Sequence, residues 1–203
     1  VGRVTARRPR VPDVVSLLLN PAALTGGFLV VLVRAFEPAG GRQWLVGGGA
    51  VLFTTLLPLG LLFVLKAKGQ LSDIEMRVRT ERTRVYLWCA GSYALGLAVV
   101  LALHAAWQLT ALLALLLPTA LILTVLNRWW KVSIHTSTLA GLATLGVALF
   151  GPGALWFALV VPLAGWARWA AGAHTTGEVF SGIALGSSSA VAGLALAHAL
   201  GAR

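Results

Sequence analysis

LTALLALLLPTALILTVLN, residues 109–127, is nineteen residues long and carries no charge before Arg128. A helix rises about 1.5 Å per residue, so this run is long enough to cross a hydrocarbon core of about 30 Å. Outward from it, Trp44–Leu65, Val85–Trp107 and Val179–Leu200 are uncharged runs of similar length. Thr136–Ala167 is one long uncharged run interrupted by Gly151-Pro152-Gly153, a turn that divides it into two short helices. Val14–Val33 is also uncharged, but Pro21 and the Gly26-Gly27 pair argue against one straight helix. It reads as an interfacial helix followed by a short span. The expected fold is all-α, a polytopic membrane helix bundle of six spans, or seven if the first run crosses. Residues 1–203 form a single integral membrane domain, in which residues 1–43 hold a basic N-terminus and the first apolar run.

Composition agrees. The chain is 58% hydrophobic and only 11% charged, whereas soluble domains are about 25% charged. Its single cysteine, Cys89, excludes an intramolecular disulfide framework and a zinc site built on several thiolates. The net charge of +10 does not point to nucleic acid, because the sixteen Lys and Arg sit in the gaps between apolar runs. A membrane surface or an anionic headgroup is the expected partner. Glycines at close helical spacing (Gly141, Gly146; Gly182, Gly186) permit tight helix contacts.

A bundle this apolar keeps ionisable groups near membrane depth only where something requires them. Three clusters stand out: the loop Lys66–Arg84; Arg128-Trp129-Trp130-Lys131-Val132-Ser133-Ile134-His135; and Arg168 to Glu178. An even number of crossings separates each from the next, so all three fall on one side of the membrane. His174 and Glu178 stand one helical turn apart, which lets the carboxylate hold imidazole Nδ1 and leave Nε2 basic. Such an imidazole serves as a metal ligand or as a nucleophile and base. The plainer alternative makes Glu178 a partner of the helix-start amides. Arg168 offers a planar fork suited to phosphate. Lys131, Ser133 and His135 bring a cation, a hydroxyl and a second imidazole to the mouth of a helix, where anions are favoured. Their plainer reading is a snorkelling Lys131 beside interfacial tryptophans, with Ser133 as an N-cap. His104 and His198 lie in apolar runs and read as packing residues.

Arg168-x(5)-His174-x(3)-Glu178 resembles the type 2 phosphatidic acid phosphatase signature Ser-Arg-x(5)-His-x(3)-Asp, with Ala167 and Glu178 replacing the usual Ser and Asp. Ser133-Ile134-His135 resembles the family's Pro-Ser-Gly-His, with Val132 for Pro and Ile134 for Gly. The remaining motif, Lys-x(6)-Arg-Pro, has only the spacing of Arg77 and Arg84 to match it, and no proline follows Arg84. Ser72-Asp73-Ile74-Glu75 followed by Arg79-Thr80-Glu81-Arg82 is instead similar to a divergent bacterial and archaeal branch, as is Lys131. The resemblance covers residues 66–200, a phosphatase-like core.

It implies phosphoryl transfer through a phosphohistidine, on a phosphate monoester or diphosphate of a lipid of the phosphatidic acid, phosphatidylglycerophosphate or polyprenyl phosphate type. His174 is then the nucleophile and Glu178 its orienter. His135 protonates the leaving oxygen and later activates water. Arg168, Lys131, Ser133 and one or both of Arg79 and Arg82 hold the phosphate oxygens. It implies no metal and no cofactor, the cations supplying the charge that magnesium supplies elsewhere. Rival readings are a lipid phosphotransferase of the same family, a metalloenzyme using His135, His174 and Glu178, and a non-enzymatic transporter or binding protein for a lipid phosphate. If the first run crosses, thirteen Lys and Arg lie on the motif side and three on the other. Positive-inside bias then predicts a cell-membrane protein whose site faces the cytoplasm.

Overall fold

The structure, a computed structural model, describes residues 10–200 apart from 75 and 77. Among the described residues there is no strand, and the helices are α1 (Val11–Leu18), α2 (Pro21–Phe36), α3 (Gly41–Val51), α4 (Leu57–Ala67), α5 (Arg79–Ala102), α6 (Trp107–Leu126), α7 (Ile134–Phe150), α8 (Leu155–Ala158), α9 (Val160–Ala170) and α10 (Thr176–Ala199). Among the described residues, six helical stretches are long and apolar enough to cross a membrane: Val11–Phe36, Gly41–Ala67, Arg79–Ala102, Trp107–Leu126, Pro152–Ala170 and Thr176–Ala199. The 17-residue α7 adds a seventh apolar rod of about 25 Å. The protein is an all-α, multi-pass membrane bundle.

Local chemistry sets the breaks. The first apolar run divides at Leu19–Asn20, and the Gly26-Gly27 pair lies inside an unbroken α2. Asn20 Oδ1 accepts from the amides of Ala22 and Ala23 at 2.9 and 3.3 Å, and Pro21, with no N–H to leave unpaired, starts the new helix. Between α3 and α4 the chain widens into a π-helical turn, Leu52–Leu56, just before Pro58, whose ring and missing N–H disturb the α-helical ladder. Gly151, with φ +76°, closes α7 and divides the long run where the sequence predicts.

The stretch 109–127 becomes the centre of the bundle: Leu109, Leu112, Leu113 and Leu115 of α6 are at most 1% exposed. Lipid tails are as apolar as leucine, so close van der Waals packing rather than water exclusion holds these helices together. Glycine provides that closeness between α7 and α10. A Cβ on Gly182 would stand 2.3 Å from Thr136 Oγ1, and one on Gly186 would stand 1.8 Å from the Ser137 carbonyl oxygen.

One end of the bundle gathers the α2–α3, α5–α6 and α7–α8 turns. There Arg42 donates to the carbonyls of Leu103 and His104 at 2.5 and 2.7 Å, the Ala106 amide donates to Glu37, and the Phe36 and Phe150 rings meet at 5.5 Å. His104 belongs to this turn, with φ +47°, rather than to the interior of a span. His198 does lie within a helix and packs its ring 4.7 Å from Trp107. The opposite end gathers the loops after α4, α6 and α9, together with α1.

Candidate active site

The α9–α10 connection is tight because its caps are strong. Gly172, with φ +68°, lets the chain reverse so that the amides of Ala173 and His174 both return to the Arg168 carbonyl, at 3.0 and 3.2 Å. Thr175 then starts α10 with a capping box: its hydroxyl accepts from the Glu178 amide at 3.3 Å, and Glu178 Oε2 accepts from the Thr175 amide at 3.0 Å. That same Oε2 lies 3.1 Å from His174 Nδ1. The capping reading and the imidazole reading of Glu178 therefore hold together, on one oxygen. Nδ1 also lies 3.1 Å from the Lys131 carbonyl, so with both partners accepting, Nδ1 carries the ring proton. Nε2 is left as the unprotonated nitrogen, buried and without a hydrogen-bond partner.

Around that nitrogen the three sequence clusters converge. Lys131 donates to the Ala173 carbonyl at 2.8 Å, tying the α6–α7 loop to the α9–α10 loop. Arg82, 1% exposed, is anchored by Nε to the Met76 carbonyl at 2.6 Å and by a terminal nitrogen to the Val132 carbonyl at 3.3 Å. Arg168, equally buried, comes from the last turn of α9. Burial, and then the charges of Arg82, Arg168 and Lys131, push His174 down to about 3, so at neutral pH its imidazole is uncharged.

Ser133 occupies the N-cap position of α7 but makes no cap: its hydroxyl is fully buried and has no partner. Thr136 Oγ1 instead donates to the Ser133 carbonyl and to the Val179 carbonyl, at 3.3 and 3.0 Å. His135, the second residue of α7, is within electrostatic reach of Arg168, His174 and Arg82, and its Nδ1 is likewise buried without a partner. Two imidazole nitrogens and a hydroxyl thus stand unsatisfied among buried cations. Each such group costs about 1–3 kcal/mol when left unpaired; a bound oxyanion would accept from the Ser133 hydroxyl and from a protonated His135 Nδ1, while the lone pair of His174 Nε2 is left to face an electrophile.

Not every expected residue joins. Arg79 is exposed at the first position of α5, where its carbonyl accepts from Asn127 Nδ2 at 2.9 Å. Arg84 is exposed and donates to Gln70 at 2.9 Å. Arg77 and Glu75 lie outside the described residues. Among the described residues no three His, Cys, Asp or Glu side chains come together as metal ligands, and Glu178 is occupied by His174 and Thr175.

Two neighbours were missed by sequence reasoning. Tyr86 is 2% exposed, and its buried hydroxyl lies against Arg82, with Arg168 within electrostatic reach. Its place four residues after Arg82, on the same helix face, is a signal that could have found it. Ser16 had no such signal. From α1, packed against α9, it accepts from Arg168 at 2.8 Å, and its oxygen lies 3.5 Å from His135 Nε2. The side of the site open to solvent is a polar vestibule of about 580 Å³ lined by Lys131, Trp169, Ala173, His174, Thr176 and Glu178 among others. Comparison with family models, curated proteins and solved structures finds no match to this chain.

Proposed function

We propose that this protein is a membrane lipid phosphatase acting through a phosphohistidine on His174. The observation that carries the reading is His174 itself: Nδ1 held by Glu178 and the Lys131 carbonyl, Nε2 buried, unprotonated and partnerless, with Arg82, Arg168 and Lys131 around it. A neutral imidazole so oriented is a nucleophile, and guanidinium and ammonium groups stabilise charge on a transferring phosphoryl group. Nε2 forms the bond to phosphorus while the phosphorus–oxygen bond to the lipid breaks, and His135 gives its proton to the leaving oxygen. Water then attacks phosphorus, its proton passing to His135, and the phosphorus–nitrogen bond breaks to release inorganic phosphate. Ser133, Arg82, Arg168 and Lys131 hold the non-bridging oxygens, with Arg82 rather than Arg79 as the contribution of α5. The resemblance of the His174 and Ser133–His135 motifs to the type 2 phosphatidic acid phosphatases supports the same chemistry.

The site faces the cytoplasm of the cell membrane in this reading. Nine of the eleven described Lys and Arg belong to the site end of the chain, the exceptions being Arg34 and Arg42. The docking of α1 beside His135 favours the topology in which α2 crosses. The test is phosphate release by the purified protein from a panel of lipid phosphates in the presence of EDTA. Release that survives chelation and is abolished by His174→Ala is expected; a fully active His174→Ala protein refutes the mechanism, and a chelator-sensitive activity favours a metalloenzyme.

A further inference from the structure

α1 is built the wrong way round for a helix held by apolar burial. Val11, Leu17 and Leu18 are exposed, whereas Ser16 is 1% exposed and is the one residue of α1 that is buried. A buried hydroxyl is costly unless it is hydrogen-bonded, and Ser16 meets two residues of the site. A terminal nitrogen of Arg168 donates to its Oγ at 2.8 Å, and His135 Nε2 lies 3.5 Å from the same oxygen. The Ser16 main chain hydrogen-bonds the His135 ring as well. The break at Leu19–Asn20 makes this placement possible. With Asn20 capping α2 and Pro21 opening it, α1 leaves the α2 axis and lies against α9. Its own start is fixed by Asp13, which accepts from the Arg10 amide at 3.1 Å. A guanidinium has only donors, so Ser16 Oγ accepts from Arg168, and a hydroxyl oxygen has a second lone pair to offer Nε2–H. The partner of one ring nitrogen sets which nitrogen carries the proton. With the oxygens of Ser16 at Nε2, that nitrogen keeps its proton. Nδ1, buried and without a partner, is then the nitrogen that exchanges one. His174 shows the same division with the nitrogens reversed, Nδ1 being held by Glu178 and the Lys131 carbonyl.

We propose that Ser16, brought to the site by α1, is the positioning residue of His135: it holds Nε2–H, so that proton transfer to and from the substrate runs through Nδ1. This rests on the phosphatase reading for the reaction that His135 serves. In the first step the imidazolium gives its Nδ1 proton to the leaving oxygen as the phosphorus–oxygen bond breaks. The ring is left as the neutral Nε2–H tautomer, held on Ser16. In the second step the Nδ1 lone pair takes the proton of the attacking water as the phosphorus–nitrogen bond to His174 breaks. Without Ser16 the neutral ring can carry its proton on either nitrogen, and the Nδ1–H form has no lone pair at Nδ1 with which to act as a base. The first helix is thereby part of the proton-transfer machinery and not only a membrane-surface anchor.

Ser16→Ala, Ser16→Thr and Ser16→Leu in the full-length protein in lipid nanodiscs test this, each assayed at a temperature where it is folded. Two substrates are compared, a long-chain alkyl monophosphate and a nitrophenyl phosphate carrying the same chain. The alkoxide needs a proton to leave and the nitrophenolate does not, so the ratio of their kcat values reads the acid alone. Ser16→Ala, which keeps the main-chain contact, should lower the alkyl-to-nitrophenyl ratio about fivefold or more, and Ser16→Leu, whose bulk pushes α1 off the ring, about twentyfold or more. Ser16→Thr, which keeps the hydroxyl, should stay within about twofold of the wild type. The nitrogen-15 NMR spectrum of histidine-labelled protein, with His135 assigned by its loss in His135→Gln, gives an independent reading. At pH 8 the wild-type ring should carry its proton on Nε2, and the Ser16→Ala ring should show both tautomers. An unchanged ratio in Ser16→Ala, an equal fall for both substrates, or a wild-type ring protonated on Nδ1 overturns the proposal. A wild type that releases no phosphate, but whose Nε2–H tautomer is lost in Ser16→Ala, removes the hydrolase reading and leaves the positioning of His135 standing. Phosphate release with ratio and tautomer both unmoved does the reverse.

Discussion

Replacing Gly186 by alanine puts the smallest possible side chain where the helix contact that shapes the site has no room for it. The new Cβ would lie 1.8 Å from the Ser137 carbonyl oxygen, 2.7 Å from its carbon and 3.0 Å from the Gly141 amide nitrogen. All three are backbone atoms, so no rotamer change relieves the clash. A carbon and a carbonyl oxygen approach to about 3.3 Å at their closest, so α7 and α10 must separate by about 1.5 Å. Overpacking of this kind costs about 1–3 kcal/mol, and an immovable backbone neighbour places it at the upper end. A melting temperature lower by about 10 °C follows for a chain of this size. The same separation pulls Ser133 and His135, at the start of α7, away from His174 and Glu178, at the start of α10. Misplacement by about 1 Å costs on the order of 100-fold in rate, so kcat for phosphate release should fall by at least that factor at a temperature where the variant is still folded. Gly27→Ala is the control, since a Cβ there meets nothing within 4 Å, and its helical position should gain about 0.5 kcal/mol. The assay is thermal unfolding followed by size-exclusion chromatography, with phosphate release measured at a temperature where both variants are folded. A Gly186→Ala protein with wild-type melting temperature and turnover would refute the claim that this contact sets the site.

Arg82→Ala should reduce kcat/KM at least 100-fold while Arg79→Ala stays within about threefold, because only Arg82 is buried among the site residues; equal sensitivity would reinstate the motif spacing as the better guide. His174 is pushed down to about 3 in the folded protein and titrates near 6.5 when unfolded, so between those values the unfolded chain binds the extra proton. Stability from this group is therefore complete above pH 6.5 and is lost as pH falls toward 3; melting curves at pH 7 and 4.5 should differ more for the wild type than for His174→Ala. Ser16→Ala removes a buried hydrogen bond to a guanidinium, a contact contributing about 1.5–3 kcal/mol, and should lower the melting temperature by several degrees; an unchanged value would mean that α1 is not docked there. Single cysteines placed in the loop 66–74 of a Cys89→Ser protein should resist a membrane-impermeant thiol reagent on intact cells and react after lysis, and labelling before lysis would put the site outside.

The seven apolar rods, their breaks near Pro21 and Gly151, and the meeting of three charged loops at one end were all legible in the residues. Each rests on short-range chemistry: hydropathy against membrane thickness, proline and glycine stereochemistry, and the parity of crossings. The Glu178–His174 pair was legible from its spacing, although it forms across the N-cap of α10, through the same Glu178 oxygen that closes the capping box, rather than within a helical turn. Ser133 was not, because whether a hydroxyl caps its helix or stays unpaired in a cleft depends on the rotamer and on what α10 presents to it. Choosing among the arginines of the α4–α5 loop was equally beyond a spacing rule. Arg82 points inward and Arg79 outward because α5 is rotated by its packing on α6, and that rotation is decided by contacts with residues some forty positions away. Ser16 is the extreme case: it meets His135 and Arg168 across 119 and 152 residues of chain, through the docking of α1 on α9. The vestibule beside His174 is of the same kind. A cavity is the shape left between helices, and only their packed arrangement defines it.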